Sequence, residues 1–317
     1  MAAERPEISD PAVVGRLSLD PPEFHDFALA QAAKLAGASF RDARLHRAYS
    51  YPYERLGFSF LVTPGRVFPI VEASYGSALD TRVVFGEEVV RAADLGDITA
   101  APGKRTDEPE RFPLLSYGAN VSIEGISGKI NGLTGHDSIL PVISGDLLDF
   151  DVTYSPHLAF YGSLPSTIHP CDGCRSPVAV LMATAAQITA IARLEVNYRF
   201  GWLAGARFVD SSREVSGDLY AFVSRHGSFS PDGRPLALSA VKSDPRVFPA
   251  VPEKGALGIA AGMLDLGSPE DLVYRTIEDY EWAVRQRPTL AARSTPFESP
   301  SWVDFGTERG DSLRCPT

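Results

Sequence analysis

The chain has 317 residues, of which 44% are hydrophobic and 22% are charged, a composition typical of a globular protein with a sizeable core. Its 30 Lys and Arg residues against 40 Asp and Glu residues give a formal net charge of −10, which argues against general binding to nucleic acids or anionic membranes. No stretch approaches the roughly 20 apolar residues of a membrane-spanning helix, and the N-terminus lacks a secretory signal pattern, so we expect a cytoplasmic protein.

The N-terminal part of the chain predicts one helix followed by short strands. Apolar residues recur at helical spacing from Pro22 to Ala36, which indicates an α-helix. From Leu45 to Ala73 we expect strands, because three tyrosines alternate at the start and a β-rich run leads into a turn at Thr63-Pro-Gly-Arg66. The segment from Arg82 to Val90 is predicted to add another strand.

A polar, proline-containing segment separates this part from the next. Residues 94–111 include a charge cluster at 104–111 and are predicted to form a linker or a long surface loop. We therefore expect residues 1–108 to be an N-terminal extension with a small sheet of its own. Residues 109–250 form the predicted main domain, and residues 251–317 hold predicted helices and a tail rich in Pro and Ser.

The main domain begins with a strand, a turn and a helix. Phe112–Ser116 is a short apolar strand, and Tyr117-Gly-Ala-Asn120 has the composition of a turn. A helix is expected from Val121 to Ile130, with Ser122 as a candidate N-cap. Glycine in such a turn lets backbone N–H groups approach a bound carboxylate or oxyanion, and Asn120 adds a side-chain amide.

More strands and one helix follow in the main domain. Alternating side chains predict a half-buried strand at Leu147–Tyr154. Two further strands, Ser166–His169 and Ser176–Met182, are predicted to flank a turn at 170–175. Helical spacing then predicts a helix from Thr184 to Leu194, with its first residue as the N-cap.

The remaining elements are one strand and two helices. Asp218–Ser224 is predicted to be a strand. Glu253–Leu264 and Pro269–Arg285 are predicted to be helices, with Ser268 as a candidate cap of the second. The tail from Arg287 onward is expected to lie on the surface.

A glutamate directly follows the helix of the main domain. Glu195 lies among Leu194, Val196 and Tyr198, and a carboxylate half-buried by such neighbours suits general base and acid catalysis near neutral pH. A solvated charge at a helix end is the alternative for Glu195.

The three cysteines are Cys171, Cys174 and Cys315, and this odd, low count argues against a disulfide framework. Cys171-Asp-Gly-Cys174 is a C-x-x-C motif inside the predicted turn. A structural zinc site needs four ligands, and a redox role favours the start of a helix. We therefore expect an incidental turn, with metal or redox chemistry as the alternative.

The order of these segments resembles the γ-glutamylcyclotransferase-like family. That family opens with a strand and a Tyr-Gly-Ser-Asn loop and continues with an Ala-Thr-Ile/Val-x-Pro-x-Pro-Gly turn and a strand. A helix ending in Leu-Asp-x-x-Glu follows, and a later strand carries a tyrosine. In this chain the matching segments, over about residues 112–230, are Ser116-Tyr-Gly-Ala-Asn120, Ser166-Thr-Ile-His-Pro-Cys-Asp-Gly173, Ile191-Ala-Arg-Leu-Glu-Val-Asn-Tyr198 and Gly217-Asp-Leu-Tyr220.

The resemblance implies an enzyme that cleaves a γ-glutamyl or related amide without a cofactor or a metal. Glu195 matches the family glutamate that deprotonates the substrate α-amine. That amine attacks its own γ-carbonyl, and 5-oxoproline and a free amine leave. The substrate-binding residues that the resemblance implies are Tyr117, Gly118, Ala119, Asn120, Tyr198 and Tyr220.

Two departures from the family pattern indicate a divergent substrate. Ala119 stands where the family has serine, and the family aspartate before the catalytic glutamate is missing, since Ala192-Arg193-Leu194 precedes Glu195. An amide hydrolase or acyltransferase acting on another acyl group is therefore an alternative, as is a non-catalytic binding protein of the same fold. Tyr117 and Tyr220 are equally typical of buried core aromatics.

The expected fold is mixed α+β. A small, partly closed mixed β-barrel or sheet with flanking helices should hold the site, and a β-rich N-terminal extension should add strands. The expected partner is a small γ-glutamyl-type substrate, with no nucleic acid and no membrane. The sequence leaves both a monomer and a homodimer open.

Overall fold

The computed structural model describes residues 22–38, 41–95 and 108–305, and its fold is mixed α+β, as predicted. This part of the chain contains seven α-helices: α1 (Pro22–Ala38), α2 (Arg41–Tyr49), α3 (Ile123–Ile130), α4 (Ala185–Ala192), α5 (Glu253–Met263), α6 (Pro269–Glu278) and α7 (Tyr280–Ala291). The strands of the same residues are β1 (Phe60–Thr63), β2 (Arg66–Glu72), β3 (Arg82–Phe85), β4 (Glu88–Arg91), β5 (Phe112–Ser116), β6 (Leu140–Tyr154), β7 (Ser166–Ala183), β8 (Tyr198–Asp210), β9 (Glu214–Ser224), β10 (Ser228–Phe229), β11 (Ala237–Leu238), β12 (Ala250–Val251), β13 (Ser294–Thr295) and β14 (Trp302–Asp304).

Five strands form a closed barrel. Strand β5 lies between β7 and β9, β7 pairs with β6, β6 pairs with β8, and β8 returns to β9. The β5–β9 pair is parallel, with Leu114 opposite Tyr220, and the other four pairs are antiparallel. The sequence predicted a partly closed mixed barrel, and the structure shows a mixed barrel whose ring of strands is complete.

Strand β7 runs through the residues that were predicted to form a turn. Both halves of β7 pair with β6, with Phe150 opposite Pro170 and Leu148 opposite Arg175. The four residues 171–174 therefore face Asp149 alone and form a bulge in the ladder. The prediction of two strands that flank a turn was wrong, because β7 is continuous and Gly173, with its positive φ, lies in this bulge.

The N-terminal segments join the main sheet rather than forming a sheet of their own. Strand β1 pairs with β6, and β2, β3 and β4 continue outward from β1. The predicted helix at 22–36 and the turn between Thr63 and Arg66 are confirmed. The strand predicted from Leu45 was wrong over its first residues, because residues 45–49 belong to α2. Of the alternating tyrosines, Tyr49 ends this helix, and Tyr51 and Tyr53 follow it outside any strand.

The C-terminal helices pack against the N-terminal ones, with α6 contacting both α1 and α2. The single helix predicted at 269–285 is two helices, because Asp279 ends α6 and caps α7 by accepting a hydrogen bond from the Trp282 N–H. The other predicted C-terminal helix corresponds to α5, and Ser268 caps α6 as expected. In the described residues no helix combines the length and the apolar character needed to cross a membrane.

Two buried hydrophobic clusters share the strands of the barrel. Leu115 and Val180 belong to a cluster that also contains Leu257 of α5 and Val273 of α6. Leu114 and Leu181 belong to a second cluster, together with residues of α3 and α4. Because successive side chains of a strand point to opposite faces, the same strands support helices on both sides. The end of β5 lies close to α3, to the turn after α4 and to residues of α1 and α2.

Candidate active site

A cavity of about 450 Å³ lies at the end of β5. Helix α3, the turn after α4, and residues of α1 and α2 contribute to its walls. Six of the seven site residues predicted from the sequence line it: Tyr117, Gly118, Ala119, Asn120, Glu195 and Tyr198. The structure therefore brings together residues that are far apart in the chain.

The loop from Tyr117 to Asn120 approaches its neighbours so closely that glycine is required. A Cβ atom on Gly118 would lie 2.4 Å from Ser166 Oγ and 2.6 Å from the Tyr51 hydroxyl oxygen, closer than real Cβ contacts allow. These two hydroxyl groups are hydrogen-bonded to each other at 2.8 Å behind the loop. The loop thus packs directly against this hydrogen-bonded pair of hydroxyl groups.

Helix α3 holds the other side of the loop. It begins after Ser122, whose side chain accepts a hydrogen bond from the Gly125 N–H, so the predicted N-cap is confirmed. A Cβ atom on Gly125 would lie 2.0 Å from the carbonyl oxygen of Ala119. The missing side chain at this position lets the helix pack directly on the loop.

Glu195 lies in the turn that follows α4, three residues beyond the last helical residue. Thr184 and Gln187 form a capping box at the start of α4, as the predicted N-cap requires. At the other end, the Glu195 N–H donates to the carbonyl oxygen of Ala192 at 2.9 Å. This short turn directs the glutamate toward the loop, where Asn120 Nδ2 donates to Glu195 Oε1 at 3.2 Å.

Lys129 completes the surroundings of the glutamate, although it was not predicted from the sequence as a site residue. Its Nζ lies 2.7 Å from Glu195 Oε1, and the side chains of Lys129 and Glu195 are only 11% and 14% exposed. The other carboxylate oxygen, Oε2, accepts no hydrogen bond from any residue that the structure describes. A signal was present, because Lys129 is four residues after Gly125 and so shares the face of α3 that meets the loop.

The two cavity tyrosines that were predicted have hydroxyl groups bonded to the backbone. Tyr117 donates to the carbonyl oxygen of Phe222, and Tyr198 donates to that of Ser166 at 2.7 Å. Burial raises the pKa of both phenols well above its ordinary value. Their rings therefore form walls of the cavity, while their protons are held by the protein.

Tyr220 does not line the cavity. It is 2% exposed and packs in the second hydrophobic cluster, stacked on Phe200 and edge-on to Phe112. Phe222, two residues further along the same face of β9, reaches the cavity instead. Tyr220 is therefore a buried core aromatic, the alternative that the sequence left open for this residue.

A group of tyrosines that sequence reasoning missed forms another wall. Tyr51, Tyr53 and Tyr161 have ring centroids between 5.9 and 6.2 Å apart. Burial raises the pKa of Tyr53 to about 12, although nearby Arg47 opposes this shift. Arg47 also pairs with Glu124 at 3.1 Å on the wall of the cavity. The N-terminal segment therefore contributes both aromatic surface and charge to the site.

Four buried polar atoms of the residues that line the cavity have no hydrogen-bond partner among the described residues. They are Arg47 Nε, the Tyr53 hydroxyl oxygen, Ser116 Oγ and Asn120 Oδ1. Leaving a buried polar atom unpaired costs about 1–3 kcal/mol, so such atoms are uncommon in folded proteins. Their position in the wall is consistent with a site that binds a polar ligand.

Among the described residues, the group whose ligand atoms could hold a metal lies outside this cavity. Ligand atoms of Asp151, Cys171 and Cys174 lie within 4.8 Å of one another, and all three residues are buried. The two cysteines form a disulfide, whereas a metal ligand is a free thiolate. Asp151 already accepts a hydrogen bond from Ser243 at 2.6 Å. The C-x-x-C motif is thus a cross-link within the β7 bulge.

Comparisons with known proteins add nothing to this geometry. No family model, no curated protein and no solved structure matches the chain. The resemblance to the γ-glutamylcyclotransferase-like family therefore stays a prediction from the order of motifs. Any functional assignment has to rest on that order and on the cavity.

Proposed function

We propose that the cavity is the active site of a γ-glutamylcyclotransferase-like enzyme. The observation that carries the proposal is the contact between Glu195 and the Tyr117–Asn120 loop within one cavity. Such an enzyme requires a carboxylate within reach of a loop that can hold the substrate. Although these residues are 75 positions apart in the chain, their side chains are hydrogen-bonded at 3.2 Å.

Glu195 is the general base and acid of the proposed reaction. Its Oε1 atom is held by Asn120 and Lys129, so Oε2 is the atom left to accept a proton from the substrate α-ammonium. The neutral amine then attacks the γ-carbonyl carbon and forms a five-membered ring. As the C–N bond of the amide breaks, Glu195 returns its proton to the departing nitrogen. The ring nitrogen, which carries two hydrogens after the attack, gives its extra proton to the departing amine, so that 5-oxoproline and the protonated amine are released.

The Tyr117–Asn120 loop is the proposed binding element for the acyl group. Backbone N–H groups and the Asn120 amide are donors that can stabilise negative charge developing on the carbonyl oxygen. Ala119 lacks the hydroxyl of the family serine but keeps its backbone N–H. Because the nucleophile belongs to the substrate, the proposed chemistry needs no protein nucleophile, cofactor or metal.

The first test is release of 5-oxoproline from a panel of γ-glutamyl amines and dipeptides. We expect turnover of at least one compound by the wild type, and a loss of about 10²-fold or more in Glu195→Gln, the usual scale for removing a general base. Gln keeps the size of the side chain and an acceptor for Asn120 and Lys129, while it removes both the proton acceptor and the negative charge beside Lys129. If the wild type turned over no γ-glutamyl compound, the proposal would be contradicted.

A second candidate is an amide hydrolase or acyltransferase that uses the same carboxylate on a different acyl group. Ala119 favours keeping this candidate, because a changed loop residue is where altered acyl recognition would be expected. The product separates the two: hydrolysis of a γ-glutamyl amide gives glutamate, whereas cyclisation gives 5-oxoproline. Ligand binding without any turnover would favour the third candidate, a binding protein of this fold.

A further inference from the structure

We infer that Lys129 binds the α-carboxylate of the ligand, so that this cavity selects compounds with a free ammonium and a free carboxylate on the same carbon. The inference deepens the proposed function and rests on it for the role of Glu195. Lys129 is outside the motifs that carry the family resemblance, and its position in the cavity comes from the structure alone.

Lys129 differs from the other cations that line the cavity in the described part of the chain. Lys34 is exposed on α1, and the Arg47 side chain is 40% exposed and paired with Glu124. Lys129 is only 11% exposed and its Nζ contacts the carboxylate of Glu195. It is therefore the cation placed beside the group that the proposed reaction uses.

The charges of Lys129 and Glu195 compensate each other. A buried ion pair is a weak source of stability, but removing one partner leaves an uncompensated charge. When Glu195 accepts the ammonium group of a ligand, Lys129 loses that compensation. A carboxylate on the same ligand restores it, because each protein charge then has an opposite charge beside it.

The hydrogen-bonding groups around the pair fit such a zwitterion. Glu195 Oε2 and the unpartnered Asn120 Oδ1 are acceptors that match the N–H groups of an ammonium. Lys129 Nζ carries three donors and uses one on Glu195 Oε1, so donors remain for a carboxylate. The 2.7 Å separation of the two protein charges suits a ligand whose own charges are carried by one carbon.

Isothermal titration calorimetry with L-glutamate and L-isoglutamine tests this inference without requiring turnover. Both compounds have a free α-ammonium and neither has a γ-amide, but isoglutamine carries an α-carboxamide in place of the α-carboxylate. We expect wild type to bind glutamate at least about tenfold more tightly, as is typical when one partner of a buried charge pair is removed. Lys129→Met should bring this ratio close to one, and Lys129→Arg should retain a preference for glutamate.

The outcomes separate the inference from the proposed function. Equal binding of the two compounds by wild type, or no binding of either, would overturn the inference even if Lys129→Met failed to fold. An unchanged preference in a folded Lys129→Met variant would overturn it as well. Selective binding together with no 5-oxoproline release would leave the carboxylate site standing and contradict the cyclotransferase. Release of 5-oxoproline together with equal binding of the two compounds would support the cyclotransferase and contradict the carboxylate site.

Discussion

Glu195 at the cavity and Glu253 at the start of α5 are both largely buried, but their surroundings differ. Glu195 has an ammonium at 2.7 Å and an amide at 3.2 Å, and it faces the cavity. Glu253 is 3% exposed, accepts the Leu164 N–H at 2.7 Å, and has no ion pair among the described residues. Burial raises the pKa of Glu253 well above its ordinary value, so the folded protein favours its neutral form.

Under the proposed function, burial does not by itself mark the catalytic carboxylate. Glu253 does not line the cavity, and its carboxyl group serves the packed interior. Glu195 is held by charged and polar partners at the place where a substrate has room to bind. The partner set and the adjoining space, rather than the degree of burial, distinguish the two residues.

The largest expected effect comes from making the same substitution at both glutamates. Glu195→Gln should lower the rate of 5-oxoproline release by about 10²-fold or more, because it removes the proton acceptor. Glu253→Gln should change that rate by no more than a few-fold, because its side chain lies outside the cavity. Steady-state rates on the best substrate of the panel measure both. A comparable loss in the two variants would remove the distinction between them.

A smaller effect is expected at the glycines of α3. Gly125→Ala places a Cβ atom against the carbonyl oxygen of Ala119, and overpacking of this kind costs about 1–3 kcal/mol in the free energy of unfolding. Gly128→Ala is the matched control: it is on the same helix and lines the cavity, but a Cβ there meets nothing within 4 Å. Because alanine favours helix over glycine by about 0.5–1 kcal/mol, this control should be neutral or stabilising.

Urea denaturation of the two glycine variants measures the difference. We expect the midpoint of Gly125→Ala to fall and that of Gly128→Ala to hold or rise. Activity should follow the same order, because the displaced Ala119 belongs to the loop that faces Glu195. Equal stability of the variants would show that the close packing of loop and helix is unimportant.

A third expected effect is a pH dependence of the free energy of unfolding that depends on Glu253. Its pKa is raised in the folded protein and ordinary in the unfolded chain, so the folded state binds more protons between the two values. The free energy of unfolding should therefore fall as the pH rises above the unfolded value of about 4.3, by up to about 1.4 kcal/mol per pH unit. Glu253→Gln should lack this contribution, since an amide does not titrate.

Unfolding free energies of wild type and Glu253→Gln at pH 5, 6, 7 and 8 give the required comparison. The difference between the two proteins should grow in favour of Glu253→Gln as the pH rises, while contributions from all other groups cancel. A difference that stayed constant with pH would contradict the neutral, core role of Glu253.

Local features of the site could be predicted from the sequence because they depend on neighbouring residues. Strand β5 and the N-caps Ser122 and Thr184 are confirmed, since a cap needs only the next few residues of its own helix. Gly118 in the strand-to-helix turn was identified on the same basis. These elements place the loop and the turn that carries Glu195.

The remaining features depend on contacts between distant segments. The pairing of Lys129 with a glutamate 66 residues away follows from how α3 packs on the barrel. The local sequence places Lys129 on the helix face of Gly125, but it does not bring Glu195 to that face. Tyr220 and Phe222 share one face of β9, so only the depth of each position in the barrel separates a core residue from a cavity residue. Strand β8 received no prediction, because Gly201 and Gly205 interrupt its apolar pattern.

The measurement that tests the central claim most directly is a reaction in water enriched in oxygen-18. With the best γ-glutamyl compound of the panel, we expect 5-oxoproline without heavy oxygen, because the substrate amine is the nucleophile and water does not enter the product. Glu195→Gln should form little of it. Glutamate with one oxygen-18 in its γ-carboxylate would instead show that water attacks the carbonyl, and this result would contradict the intramolecular mechanism.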